Sequence, residues 1–267
     1  MANQNPLATN LTLEQQKNLF GNAYLNMLWH CPTDLRFHYW VHLPDYYYDE
    51  EEHEYSLLVI IHGTGCAIEE YIKQAKELAD KYHMAVLAPM FPGGLIQRDD
   101  FNSYKLLSCD GIRYDLILLD MIEDMAKRYP GVHTDQFFMF GHSGGGQFVN
   151  RDRLKACSIG APGRPTFLNP DEDYFWGIRD FKDYFGYDVD LEAVKKVPVL
   201  ISVGELDNKF IGDSPYGDNR VARMKSLQKN FQEHGVHTEL TILPGFAHEA
   251  GEKERVQAAQ KFFIQYL

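Results

Sequence analysis

The sequence predicts an α/β fold built on a mostly parallel sheet. Short apolar runs of strand length alternate with longer amphipathic segments, which is the rhythm of βαβ units. The runs are rich in Val, Ile and Leu without polar alternation, as strands buried on both faces must be. At 267 residues, 45% hydrophobic and 24% charged, the chain can bury a sizeable core within one domain.

The elements follow in order. A first helix is predicted over 13–20, and alternation over 35–43 reads as a strand. The acidic run 49–54 reads as a solvated hairpin loop. A β-branched strand over 57–61 ends in His62-Gly63-Thr64-Gly65. Helix follows over 68–82, with Ile68, Ile72, Ala75, Leu78 and Ala79 on one face. The strand 84–88 is closed by Pro89 and Pro92-Gly93-Gly94, and a polar, aromatic loop leads to a helix over 111–129 that Pro130-Gly131 ends. The strand 137–140 runs straight into Gly141-His142-Ser143-Gly144-Gly145-Gly146. Later strands are predicted over 156–159, 199–203 and 238–243, with a closing helix over 253–266. No internal repeat or low-complexity tract interrupts this order.

The stretch 162–196 breaks the rhythm. It carries Phe167, Tyr174, Phe175, Trp176, Phe181, Tyr184, Phe185 and Tyr187 between two strands. Two readings fit: a cap inserted over the strand ends, or an excursion whose aromatics pack on its own helices.

Composition excludes some functions. A net charge of −12 argues against a nucleic-acid surface or an anionic membrane as partner. Residues 1–10 are polar, with no basic segment leading into an apolar run, and no stretch has membrane-spanning length. The expected location is cytoplasmic. Cys31, Cys66, Cys109 and Cys157 are scattered without zinc-type spacing, so each is read as a reduced, small hydrophobe.

The chemistry-bearing residues cluster after strands. Gly141-His142-Ser143-Gly144-Gly145 is G-x-S-x-G between a strand and a helix. Such a turn exposes the serine hydroxyl above the sheet, and the glycines let neighbouring chain approach. The run lacks the Lys-Ser/Thr ending of a P-loop, and no acidic residue follows at dinucleotide-binding spacing. A serine needs a base, and His248 lies in Gly245-Phe246-Ala247-His248-Glu249, between the last strand and the last helix. An acid must orient that histidine. Asp207, in Gly204-Glu205-Leu206-Asp207 after a strand, is the first candidate, with Glu205, Asp213 and Asp218 as rivals. Oxyanion donors are expected from the N–H groups of Gly144 and Thr64, with Gly65 the alternative to Thr64. His62 and His142 are read as packing residues.

With its H-G-x loop, G-H-S-G-G elbow, post-strand G-x-x-D and late G-x-x-H in order, the chain from residue 57 onward resembles the α/β-hydrolase superfamily. Within it, the chain is similar to polyhydroxybutyrate-depolymerase, feruloyl-esterase and dienelactone-hydrolase-like esterases. The resemblance implies a mostly parallel eight-stranded sheet with helices on both faces and a small inserted cap at 162–196. It implies a serine esterase acting on a small-molecule ester through Ser143, Asp207 and His248, with no metal or organic cofactor. A peptidase or amidase on the same fold, or a non-catalytic receptor, are the alternatives. Tyr174, Phe175 and Trp176 are the expected substrate-binding rings.

One departure stands out. Only 147–154 is available for the helix after the elbow, which should run three or four turns. Arg151-Asp152-Arg153 reads as two helix ends abutted. The spacing fits either an unusually short helix or one from which residues are missing, and a short helix is expected to loosen the support beneath Ser143.

Overall fold

The computed structural model of the chain describes residues 12–49, 54–148 and 153–267. Residues 1–10, most of the acidic run 49–54, and Arg151-Asp152 in the segment after the elbow lie outside them.

The chain enters through α1 (Leu13–Phe20), started by a reciprocal capping box between Thr12 and Gln15. Then come β1 (Leu28–His30) and β2 (His38–His42), a short antiparallel pair. The regular part follows with β3 (Tyr55–Ile61), α2 (Ile68–Lys81) and β4 (Met84–Met90). A minor hairpin, β5 (Ser108–Cys109) and β6 (Ile112–Arg113), precedes α3 (Tyr114–Arg128) and β7 (Val132–His142). Next are α4 (Gly144–Phe148), β8 (Leu154–Gly160), the five-residue helices α5 (Phe181–Phe185) and α6 (Leu191–Lys195), and β9 (Val199–Gly204). α7 (Arg220–Glu233), β10 (Thr238–Leu243) and α8 (Glu252–Phe263) complete it.

Among the described residues the sheet has eight strands in the order β1-β2-β4-β3-β7-β8-β9-β10. β3, β4, β7, β8, β9 and β10 pair in parallel, while β2 is antiparallel to β4. β2 pairs with β4 and not with β3, so β2 and β3 do not form a hairpin across the acidic run.

Side-chain alternation along the strands divides the core into two layers. Leu57, Val59 and Ile61 of β3 face the layer with Leu118, Met121 and Met125 of α3 and Met224 and Leu227 of α7. Leu58 and Ile60 face the layer with Ala75 and Leu78 of α2 and Val256, Ala259 and Phe262 of α8. On α2 the buried stripe is Ile68, Tyr71, Ala75, Leu78 and Ala79, so Tyr71 takes the place expected for Ile72.

Sequence patterning missed β1, the β5–β6 hairpin and α7. β1 is a three-residue edge strand with an alternating exposed pattern. α7 carries few apolar residues, and its buried face is Arg223, Met224, Leu227 and Phe231. In the 162–196 segment, Tyr174 packs edge-on against Phe175, Phe181 and Phe185, and Phe181 stacks on Phe185. No helix among the described residues is long and apolar enough to cross a membrane.

Candidate functional site

Parallel strands deliver their following loops to one edge, so the segments after β3, β7, β8, β9 and β10 converge at the carboxyl end of the sheet. Ser143 follows β7 directly and sits at φ 55°, the left-handed region that costs a non-glycine residue energy. The turn is held by backbone contact on three sides. A Cβ on Gly141 would meet Gly145 O at 2.2 Å, and one on Gly145 would meet Ile61 O at 2.2 Å. Ser143 N–H donates to Gly160 O at 2.7 Å, tying the turn to β8.

His248 lies within reach of this serine although 105 residues separate them, its Nε2 3.0 Å from Ser143 Oγ. Its Nδ1 is 2.7 Å from Asp207 Oδ2. A carboxylate can only accept, so Nδ1 carries the proton, and Nε2 of the neutral ring keeps its lone pair for the serine hydroxyl. Asp207 is 3% exposed, and its other oxygen, Oδ1, lies 3.3 Å from Arg220 Nη1 at the start of α7. The rival acids are placed elsewhere. Glu205 accepts from Gly245 N–H at 2.9 Å, and Asp213 and Asp218 are exposed.

The loop carrying His248 is braced from below. Arg255 on α8 is fully buried, and its Nη2 donates to Ala247 O at 2.9 Å and His248 O at 3.1 Å. Its Nε and Nη1 are buried without a hydrogen-bond partner. His142 donates from Nε2 to His248 O at 3.2 Å and its ring lies 4.9 Å from that of His248. Burial first, and then the positive charge of Arg255, push the His142 pKa well below the ordinary histidine value, so the ring is neutral.

Thr64 and Gly65 are exposed at the head of β3. A Cβ on Gly63 would stand 3.7 Å from Ser143 Cβ, which brings this loop against the elbow. His62 fixes its course: Nδ1 donates to Gly63 O at 2.7 Å, and Nε2 accepts from Phe91 N–H at 3.0 Å. That pair of bonds requires a neutral ring, and burial lowers the His62 pKa accordingly. Gly144 opens α4, where a first-turn N–H has no partner within the helix. The structure therefore brings together Ser143, His248, Asp207, the Thr64 loop and Gly144.

The three expected substrate-binding rings lie in the 162–196 segment. Tyr174 donates its hydroxyl to Leu106 O at 3.1 Å, and Phe175 is buried beside it. Trp176 packs near Tyr216, with the Arg164 and Arg223 guanidiniums 5.4 and 5.0 Å from its ring centre. Tyr174 and Phe175 pack with the segment's own aromatic rings, whereas Trp176 reaches Tyr216 and Arg223 outside it.

Sequence reasoning missed the cations around the site. Lys105, Arg220 and Arg255 come from a loop, an unrecognised helix and the closing helix. No spacing rule links them to Ser143.

No protein-family model and no curated protein matches the sequence. Solved structures do match the fold. A poly(3-hydroxybutyrate) depolymerase from Bordetella parapertussis superposes with TM-score 0.70 at 18% identity, over 96% of this chain and 95% of its own. Poly(aspartic acid) hydrolase-1 from Sphingomonas sp. KT-1 gives 0.67 at 21% identity, over 84% and 92%. An S-formylglutathione hydrolase from Agrobacterium tumefaciens gives 0.60 at 15% identity, over 91% and 95%. The chain has the fold of the α/β-hydrolases.

Proposed function

We propose that the chain is a serine hydrolase that cleaves carboxylic esters through an acyl-enzyme intermediate. The observation that carries the proposal is the hydrogen-bonded series Ser143–His248–Asp207 at the strand-to-helix elbow. The hydrolases among its structural neighbours support the same reading.

Ser143 Oγ attacks the ester carbonyl carbon as His248 Nε2 takes the hydroxyl proton. The carbonyl oxygen becomes an oxyanion, held by the N–H groups of Gly144 and Thr64, with Gly65 the alternative donor. Collapse breaks the ester C–O bond, and His248 gives its proton to the leaving alkoxide. Water then attacks the acyl-enzyme, with His248 again the base, and frees the acid and Ser143. Asp207 holds the ring in the tautomer that both steps need and stabilises the imidazolium. The 162–196 segment acts as a cap within a single domain, and Tyr174, Phe175 and Trp176 contribute to substrate binding by shaping that cap.

Amide hydrolysis is the second reading, because one structural neighbour is named for poly(aspartic acid), whose backbone links are amides. Hydrolysis of p-nitrophenyl esters from acetate to octanoate by wild type and Ser143→Ala tests the proposal, with peptide anilides alongside. Ester turnover that vanishes in the variant supports it. A folded wild type that turns over only the anilides moves the reading to amidase. One that turns over neither and takes no fluorophosphonate label removes it.

A further inference from the structure

Lys105 stands outside the Ser143–His248–Asp207 series, in the tight turn Ser103–Leu106, yet it touches both segments assigned to the oxyanion hole. Its Nζ donates to Thr64 Oγ1 at 2.8 Å and to Asn102 Oδ1 at 2.6 Å. Its stem lies on the first residue of α4, so close that a Cβ on Gly144 would be 2.6 Å from Lys105 Cε. The residue is only 9% exposed.

Both hydrogen-bond partners of this buried ammonium are neutral. The carboxylate acting on it is that of Asp100, which already accepts from Ser103 Oγ and from the N–H groups of Asn102 and Ser103. Burying a cation without a bonded counter-ion costs free energy, and the fold leaves its positive potential only partly cancelled, by Asp100. In a water-poor site such potential acts strongly on an anion that forms nearby.

We propose that Lys105 is a charged positioning residue of the oxyanion hole. Its ammonium holds the Thr64 loop against Gly144 and adds positive potential where the tetrahedral oxyanion forms. No proton leaves Lys105 during the reaction; it acts by charge and by its bond to Thr64. The inference rests on the ester-hydrolase reading above.

Burial lowers the Lys105 pKa below the usual lysine value, opposed chiefly by Asp100. The titratable and charged groups acting on it, or acted on by it, are Asp100, Tyr104, Cys66, His62 and Arg220. His62 is neutral, and burial raises the Tyr104 and Cys66 pKa values. Deprotonation of Lys105 therefore produces a fall in kcat as pH rises. A Cys66→Ser background removes the thiol from that comparison.

The test measures kcat and KM for p-nitrophenyl acetate between pH 6 and 10, and inhibition by a trifluoromethyl ketone that adds to Ser143 as a tetrahedral oxyanion. Wild type, Lys105→Met and Lys105→Arg are compared in the Cys66→Ser background. Lys105→Met is expected to lose roughly 10- to 100-fold in kcat and in ketone affinity, with KM changed less than about threefold. Lys105→Arg is expected to recover most of kcat and to lose the alkaline limb, because a guanidinium stays charged. A folded Lys105→Met with kcat within about threefold of wild type overturns the inference. So does equal loss in both variants with ketone affinity unchanged, which marks a purely structural lysine. Where Lys105→Met does not fold, an alkaline limb that persists in Lys105→Arg overturns it alone. A wild type that neither turns over esters nor takes a fluorophosphonate label removes the underlying reading, and the Lys105 inference falls with it.

Discussion

Arg255→Met is expected to separate stability from activity. The side chain is fully buried, and only Nη2 is bonded, to Ala247 O at 2.9 Å and His248 O at 3.1 Å, while Nε and Nη1 are buried without hydrogen-bond partners. Losing two charge-assisted hydrogen bonds costs about 1.5–3 kcal/mol each. Removing two buried nitrogens without hydrogen-bond partners returns about 1–3 kcal/mol each. Removing the buried charge adds to that return, and Met keeps most of the apolar stem. The terms nearly cancel, so the thermal midpoint should stay within about 4 °C of wild type, or rise. Activity should not be spared. The lost bonds hold the carbonyls of His248 and of Ala247 just before it, and a displacement of about 1 Å at a reacting group can cost about 100-fold in rate. The assay pairs thermal unfolding with kcat for p-nitrophenyl acetate. A variant that loses about 3 kcal/mol of stability, or one that keeps full kcat, refutes the reasoning.

Two further outcomes are expected. Asp207→Asn should lower kcat by about 10⁴-fold, because the amide no longer fixes the His248 tautomer, and fluorophosphonate labelling of Ser143 should slow in parallel; labelling within about tenfold of wild type would show that another group orients His248. Acid should destabilise the fold through His62 and His142, whose pKa values burial lowers. Unfolded histidines take up a proton near pH 6.5 and these folded ones only further down, so their contribution is complete above about pH 6.5 and is lost as pH falls, by about 1.4 kcal/mol per pH unit for each. Urea unfolding should show lower stability at pH 5.5 than at pH 7.5, and an unchanged midpoint would contradict the neutral assignment of both rings.

Much of this architecture was legible because parallel strands write themselves as continuous apolar runs. β3, β4 and β9 sit between two helical layers, so both of their faces must be apolar. β7 was read only from residue 137, because its first residues include exposed His133, Asp135 and Gln136, which carry no hydrophobic signal. α7 was missed because its buried face includes an arginine: Arg223 points inward and donates to Gly217 O and Gly212 O. Ser143, Asp207 and His248 could be named because each lies in a loop directly after a strand, where chain order gives spatial order. The Lys105–Thr64 bond spans 41 residues between two irregular loops, and only tertiary packing creates it.

The turn into the helix after the elbow shows what holds Ser143 in place. Helix length was expected to support Ser143; α4 is described over Gly144–Phe148, and residues 149–152 lie outside the described residues. Support comes from contact at the helix start. Gly145 lies against Ile61 O, Gly146 lies 2.8 Å (as a Cβ distance) from Gly160 O, and Ser143 N–H donates to the same Gly160 carbonyl. These contacts clamp the turn between β3 and β8, the two neighbours of β7. Phe148 then stacks on Phe91 at 5.3 Å, closing the far end against the segment that also receives His62. A clamp of this kind needs residues without side chains, which accounts for three successive glycines after Ser143. It also explains how a strained φ at Ser143 persists: the backbone on either side leaves the turn no room to relax.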